Sequence, residues 1–330
     1  MSDFLYQKYK GGKLGEQVRS FLSELSKNES TPMRLQTPEE VRANSSIINW
    51  MQERGKAYKV DNITIPGKES DIPIRIYSPK GKGPYPVLVY FHGGGWVFGS
   101  LDEADHICSS FSNETPAIVV SVDYRLSPEN KYPCAIEDAY ASILWIEKEI
   151  AKYNGDPKLI VLAGESAGAN IATVVCQMIR DIGGPQICYQ LLICPWVDLV
   201  NFDTDSYKLF GEGIWLSKSS IEYYRDQYIQ SGEQAKEYYV SPLLSDNLRD
   251  LPPAHIITAE FDVLRDEGEA YAKRLLEAGD SVTFKQYDGM IHSFIVLNKV
   301  IDKANEAIDD CISMLKKNLK SIPHNQYRSV

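Results

Sequence analysis

Short runs that are apolar almost throughout recur through the middle of this chain, and stretches with helical spacing separate them. Pro86 to Phe91, Ala117 to Val122, Leu159 to Ala163 and Tyr189 to Cys194 are such runs. A strand that is apolar on both faces must be covered on both, which points to a mostly parallel central sheet flanked by helices, an α/β architecture. The intervening stretches fit. Ile136, Ala139, Ile143, Ile146 and Ile150 fall on one helical face, as do Ile171, Val174, Val175 and Met178. The rhythm continues with His255 to Ala259, a helix from about Arg265 to Ala278, the strand Val282 to Tyr287 and a last helix from Ile301 to Leu319.

Two regions depart from it. Before Tyr58 the chain reads as helical. Val18, Phe21, Leu22 and Leu25 have helical spacing, and Thr37, Pro38 and Glu40 form a capping box that opens a helix carrying Val41, Ile48 and Met51. Ile63 and Ile65, then Ile72, Ile74 and Ile76, alternate with polar residues as half-buried strands. Between Asp198 and Asp250 the composition shifts to Tyr, Ser and charge, with a helix expected near Ser217. The expected organisation is therefore a catalytic body at 58–197 and 251–330, an insertion at 198–250, and N-terminal helices at 1–57 that join the insertion as a cap.

The 330 residues carry a formal net charge of −10 and no clustered basic surface, so nucleic acid is not an expected partner. Lys316, Lys317 and Lys320 instead suit the end of the last helix, where cations complement the helix dipole. Met1 to Lys13 has no apolar core of signal-peptide length and no run is long enough to span a membrane. The six cysteines show no C-x-x-C pair or metal-ligand spacing and several sit in apolar runs, which reads as reduced, packed thiols in a cytoplasmic protein.

The chemistry begins at Gly164-Glu165-Ser166-Ala167-Gly168. This is G-x-S-x-G with a strand before it and a helix after it, a context that projects a serine hydroxyl above the sheet. A serine hydroxyl is a weak nucleophile and needs a base and a group to orient that base. Of the later histidines, His255 lies inside a strand and His324 in the tail, whereas His292 follows the strand Val282 to Tyr287 through an expected turn at Asp288 to Ile291. His292 is the candidate base. Glu260 and Asp262 both follow the preceding strand; Asp262 lies further into the loop, just before a helix, and is the candidate acid. His92-Gly93-Gly94-Gly95-Trp96 directly follows another strand, and its glycines allow backbone N–H groups to reach a substrate oxyanion together with the N–H of Ala167. The segment is not G-x-G-x-x-G, because Phe98 stands at the third glycine position, so a dinucleotide is not expected.

Taken together, the chain resembles the hormone-sensitive-lipase-like carboxylesterases of the α/β-hydrolase fold. The resemblance runs from about Tyr58 to Leu315. It rests on HGGGW at His92–Trp96, DYRLSPE at Asp123–Glu129, GESAGAN at Gly164–Asn170, FDVLRDEG at Phe261–Gly268 and GMIHSF at Gly289–Phe294. It implies hydrolysis of short- to medium-chain acyl esters by Ser166, His292 and Asp262, with Gly94, Gly95 and Ala167 as oxyanion donors and Gly93 nearby. His92 would be structural. The resemblance further implies a helical cap, often a homodimer, and no metal or organic cofactor. Trp96, Phe98 and Trp215 are candidates for lining the acyl pocket or cap, and each reads equally well as core packing. Two positions depart from the family pattern: Glu165 stands where Asp is frequent and Val263 where Pro is usual. Neither is a reacting group, and both read as local packing differences. A ligand receptor of the same fold would lack the histidine, which is present here as His292; an amidase would share the triad.

Overall fold

A computed structural model describes residues 13–27, 31–52, 57–212 and 214–321. The N-terminal leader question and the tail histidine His324 concern residues outside that set. One eight-stranded sheet runs through the molecule in the order β1-β2-β4-β3-β5-β6-β7-β8. The strands are β1 (Lys59–Ile65), β2 (Ile72–Ser78), β3 (Tyr85–Phe91), β4 (Ile118–Val122), β5 (Gly155–Glu165), β6 (Ile187–Ile193), β7 (Ala254–Phe261) and β8 (Val282–Ile291). β1 with β2 and β2 with β4 pair antiparallel; every other pairing is parallel. Each apolar run expected to be a strand is one. Burial explains the composition: β4 is buried along its whole length, and β5 from Leu159 to its end. β1, at the sheet edge, keeps the alternation of a strand wet on one face.

The helices are α1 (Glu16–Leu25), α2 (Pro38–Ser45), α3 (Asp105–Glu114), α4 (Cys134–Glu149), α5 (Ala167–Ile182), α6 (Asp205–Phe210), α7 (Lys218–Tyr228), α8 (Arg265–Ala278) and α9 (Asp302–Ser321). The capping box of α2 is present: the Thr37 N–H donates to Glu40 Oε2 at 2.8 Å and the Glu40 N–H to Thr37 Oγ1 at 3.3 Å. Such a box contributes about 1 kcal/mol. The helix expected to carry Val41, Ile48 and Met51 on one face stops at Ser45, however, and continues as a 3₁₀ segment to Met51. Ser217 caps α7 by accepting the Ser220 N–H at 3.1 Å. Thr204 caps α6 in the same manner, a short helix that the sequence pattern did not reveal.

A second difference lies beside the site. The turn expected at Asp288 to Ile291 is strand, and β8 runs on to Ile291, pairing it with Phe261 after a register shift. Gly289, at a φ of 78°, donates its N–H to Glu260 Oε2 at 2.7 Å, while its carbonyl accepts the Gly15 N–H at 2.9 Å. Glu260 thus fastens the end of β8 to β7. All six cysteines are free, as expected of packed thiols.

The N-terminal helices are tied to the loops that follow β3 and β4 through Arg42. Its guanidinium donates to Val97 O at 2.8 Å and Ser127 O at 2.9 Å, and pairs with both oxygens of Glu129. At the centre of the fold, α5 approaches β3 so closely that a Cβ on Gly168 would stand 2.0 Å from Phe91 O. Gly168→Ala is therefore expected to cost roughly 2–4 kcal/mol in urea unfolding, because backbone must move. Gly232→Ala, which meets nothing within 4 Å, should stay within about 0.5 kcal/mol.

Candidate active site

β5 delivers Ser166 to the top of the sheet, and α5 begins one residue later. Between them the chain reverses with Ser166 at φ 56°, ψ −118°, a left-handed conformation that costs a non-glycine residue about 1–3 kcal/mol. The Ser166 N–H donates to Ile193 O at 2.8 Å, which ties the turn to β6. Gly164 allows the tightness: a Cβ there would stand 2.3 Å from Gly168.

The residues singled out as base and acid meet this serine. Ser166 Oγ lies 2.9 Å from His292 Nε2, and His292 Nδ1 lies 2.7 Å from Asp262 Oδ2. Asp262 follows β7 directly, and its other oxygen accepts the Leu264 N–H at 2.9 Å, which fixes the carboxylate plane. All three side chains are buried. Burial opposes an imidazolium at His292. The charge and hydrogen bond of Asp262, with Glu165 adding to them, outweigh it and leave the imidazole above its ordinary value. The other later histidine, His255, is buried inside β7 and pairs with Thr283 Oγ1 at 2.8 Å, in keeping with a structural role.

The glycine loop stands against Ser166, with Gly94 and Gly95 both at positive φ, 109° and 58°. Ala167 opens α5, where first-turn N–H groups have no acceptor within the helix. Gly93 packs against the Glu165 carboxyl, so closely that a Cβ there would stand 2.0 Å from Oε2. His92 supports the loop from below. Its Nδ1 contacts Gly93 O at 2.7 Å, its ring stacks on Tyr124 at 4.3 Å, and burial pushes its value down to about 4, so it is neutral.

A cavity of about 1200 Å³ opens above these groups, reaching Ser166, His292, His92 and all three glycines. Leu22, Leu25, Met33, Val41 and Ile48 form its wall from the N-terminal side, and Trp215, Leu216, Ile221 and Tyr224 from the 198–250 stretch. Phe98 and Trp215 line it, one of the two readings the sequence left open for them. Trp96 does not: it is fully buried, stacked on Tyr228 at 4.0 Å with the rings 4° apart and tilted against Trp196, so it is core. Sequence reasoning missed Glu165, Ser293 and Glu103, all of which also line the cavity. The departure from Asp at position 165 was the available signal.

Among the described residues one group has metal-ligand proximity: Cys194, Asp262 and His292 offer atoms within 4.8 Å of one another. It does not suit a cation. The His292 Nδ1 and Asp262 Oδ2 atoms are engaged with each other, and burial pushes the Cys194 thiol well up, away from the thiolate a metal requires. Among the described residues no helix is long and apolar enough to cross a membrane.

A strained serine at a strand–helix junction, a histidine on it and a carboxylate behind the histidine define an enzyme of the serine-hydrolase class. A family described as alpha/beta hydrolase fold matches residues 88–296, and the chain belongs to it, within the hormone-sensitive-lipase-like carboxylesterases. Carboxylic ester hydrolase LipN of Mycobacterium tuberculosis is 38% identical over 269 residues, covering 80% of this chain and 71% of its own. Carboxylesterase NlhH of the same organism is 36% identical over 290 residues, 87% of each chain. Among solved structures, a thermostable esterase from Pseudomonas putida superposes with a TM-score of 0.90 at 34% identity, covering 94% of this chain and 99% of that one. A hyperthermophilic esterase from Pyrobaculum calidifontis gives 0.89 at 36% identity, over 92% and 98%.

The His292 imidazole should titrate by NMR above its usual value of 6.5. In Asp262→Asn the burial penalty is left unopposed by that charge, and the midpoint should fall below 6.5.

Proposed function

We propose that this enzyme hydrolyses short- to medium-chain acyl esters through an acyl-enzyme on Ser166. The observation that carries the reading is the unbroken line Ser166 Oγ–His292 Nε2, His292 Nδ1–Asp262 Oδ2, at 2.9 and 2.7 Å, on the floor of the cavity. In this reading His292 takes the Ser166 proton as Oγ attacks the ester carbonyl, and Asp262 stabilises the imidazolium without accepting the proton. The oxyanion accepts from the N–H groups of Gly94, Gly95 and Ala167. Each such donor is typically worth about 100- to 1,000-fold in turnover. The intermediate collapses as His292 passes its proton to the departing alkoxide. Water, deprotonated by His292, then attacks the acyl carbon, and Ser166 recovers its proton as the acid leaves.

The walls support an uncharged acyl ester as partner. They are largely aliphatic and aromatic, and the described lining residues include neither Lys nor Arg. Residues 1–57 and 198–250 act as a cap over a body formed by 58–197 and 251–330. Their contribution to both walls of the cavity supports this division.

Hydrolysis of a p-nitrophenyl ester series tests the reading. Wild type should turn over short and medium chains, with Ser166→Ala and His292→Ala each losing about 1,000-fold or more and Asp262→Asn about 10,000-fold in kcat. His292 acts as base only when neutral, so kcat/KM should fall with pH through a midpoint above 6.5. A folded wild type inert towards every ester would overturn it.

A further inference from the structure

Glu165 precedes the nucleophile, yet nothing in the triad chemistry requires a carboxyl there. It is buried at 5% exposure, a position that is unfavourable for an acid unless hydrogen bonds compensate. Its two oxygens face two other loops. The Ser293 hydroxyl donates to Oε1, and Ser293 is the residue after His292, itself held at a left-handed φ of 55°. On the other side the Gly93 backbone lies against the carboxyl, so close that a Cβ there would stand 2.0 Å from Oε2, and it favours the carboxylate form. Glu165 Oε1 also lies 4.0 Å from His292 Nε2, the nitrogen that faces Ser166.

We infer that Glu165 is a positioning residue whose one carboxyl holds the loop of the base, through Ser293, and the oxyanion loop, through Gly93, in register around Ser166. The inference rests on the triad reading above and adds to it. A side chain serving only to fill space would be apolar. This one bridges the three segments whose relative placement decides whether attack, proton transfer and oxyanion binding coincide. Its proximity to Nε2 has a second effect, since an anionic Glu165 favours the imidazolium that forms as Ser166 attacks.

The groups facing Glu165 come from every neighbouring element. His292 and Asp262 follow β8 and β7, Glu103 precedes α3, and Tyr90, Tyr124, His92 and Cys194 follow or end β3, β4, β3 and β6. Burial pushes Tyr90, Tyr124 and Cys194 well up and His92 down to about 4, so these stay neutral near pH 7. Glu103, raised by burial to about 7, and Glu165, raised by burial and by Asp262 and Glu103 to about 7 against the pull of His292, are the groups that change charge there with His292.

The test compares full-length wild type with Glu165→Gln, Glu165→Asp, Ser293→Ala and the double variant Glu165→Gln/Ser293→Ala on p-nitrophenyl butyrate, after circular dichroism confirms folding. Glu165→Gln keeps the shape but replaces the carboxyl that faces Ser293 and Gly93 with an uncharged amide. Its kcat should fall about 10- to 100-fold with KM within about threefold. Its acid limb should also move to lower pH, because His292 loses a neighbouring negative charge; a merely structural role would leave the limb in place. Glu165→Asp retains the charge but cannot span both loops, so it should keep the wild-type limb and recover part of kcat. Ser293→Ala removes one tether and should lower kcat at constant KM, which keeps the test open if Glu165→Gln does not fold. The double variant should lose no more than about twofold beyond Glu165→Gln alone, since the two groups act as a unit. Wild-type kcat in Glu165→Gln, an unmoved limb, or losses that simply multiply would each overturn the inference. Inactivity of wild type itself would instead remove the triad reading.

Discussion

Everything at the site depends on how closely one helix can approach one strand. Gly168, in the first turn of α5, sits against the carbonyls of Phe91 and His92 at the end of β3, where even a methyl group would collide. That contact sets the distance between the serine turn and the glycine loop, because one begins α5 and the other continues from β3. The strain at Ser166 persists because the same junction is pinned from both sides, by the Ile193 carbonyl and by the packing of Gly164 on Gly168. A looser helix would let Ser166 relax, and the hydroxyl would no longer stand at 2.9 Å from His292.

Much of this was legible in the chain because parallel strands buried on both faces leave a plain mark. The apolar runs at Pro86 to Phe91 and Leu159 to Ala163 have no other comfortable environment than a sheet covered on both faces. Ser166, His292 and Asp262 were legible for a related reason: each follows a strand end, where the backbone leaves the ladder and side chains can be aimed. What escaped the pattern depends on non-local contacts. Residues 288–291 look like a turn around a glycine, yet Glu260 on β7 and the Gly15 N–H draw that segment into the sheet. Trp96 reads equally as pocket or core from its neighbours in sequence, and is core because Tyr228, far along the chain, stacks on it. Gly93 reads only as part of the oxyanion loop, and its close approach to the Glu165 carboxyl has no mark in the sequence.

The electrostatics of the site are uneven in an informative way. Asp262 is held by the Leu264 N–H and bonds the distal nitrogen of His292, which fixes its orientation toward the imidazole. Glu165 and Glu103 line the chamber itself, where burial makes each of them slow to ionise. One carboxylate is dedicated to the imidazole, while two others are close to the boundary between charged and neutral. Near neutral pH the chamber therefore carries less negative charge than its residue types suggest.

Arg42 joins the N-terminal helices to the body by way of the Val97 and Ser127 carbonyls, and those helices wall one side of the cavity. The reacting groups lie in short motifs at strand ends, while the surfaces that a substrate's chain would touch lie in stretches with no motif at all. Chemistry and selectivity are thus inherited on different parts of the polypeptide. A lineage carrying this scaffold can exchange Leu22, Met33, Ile48 or Trp215 and acquire new tastes without disturbing the strained serine. Proteins with the same five motifs can consequently differ widely in diet.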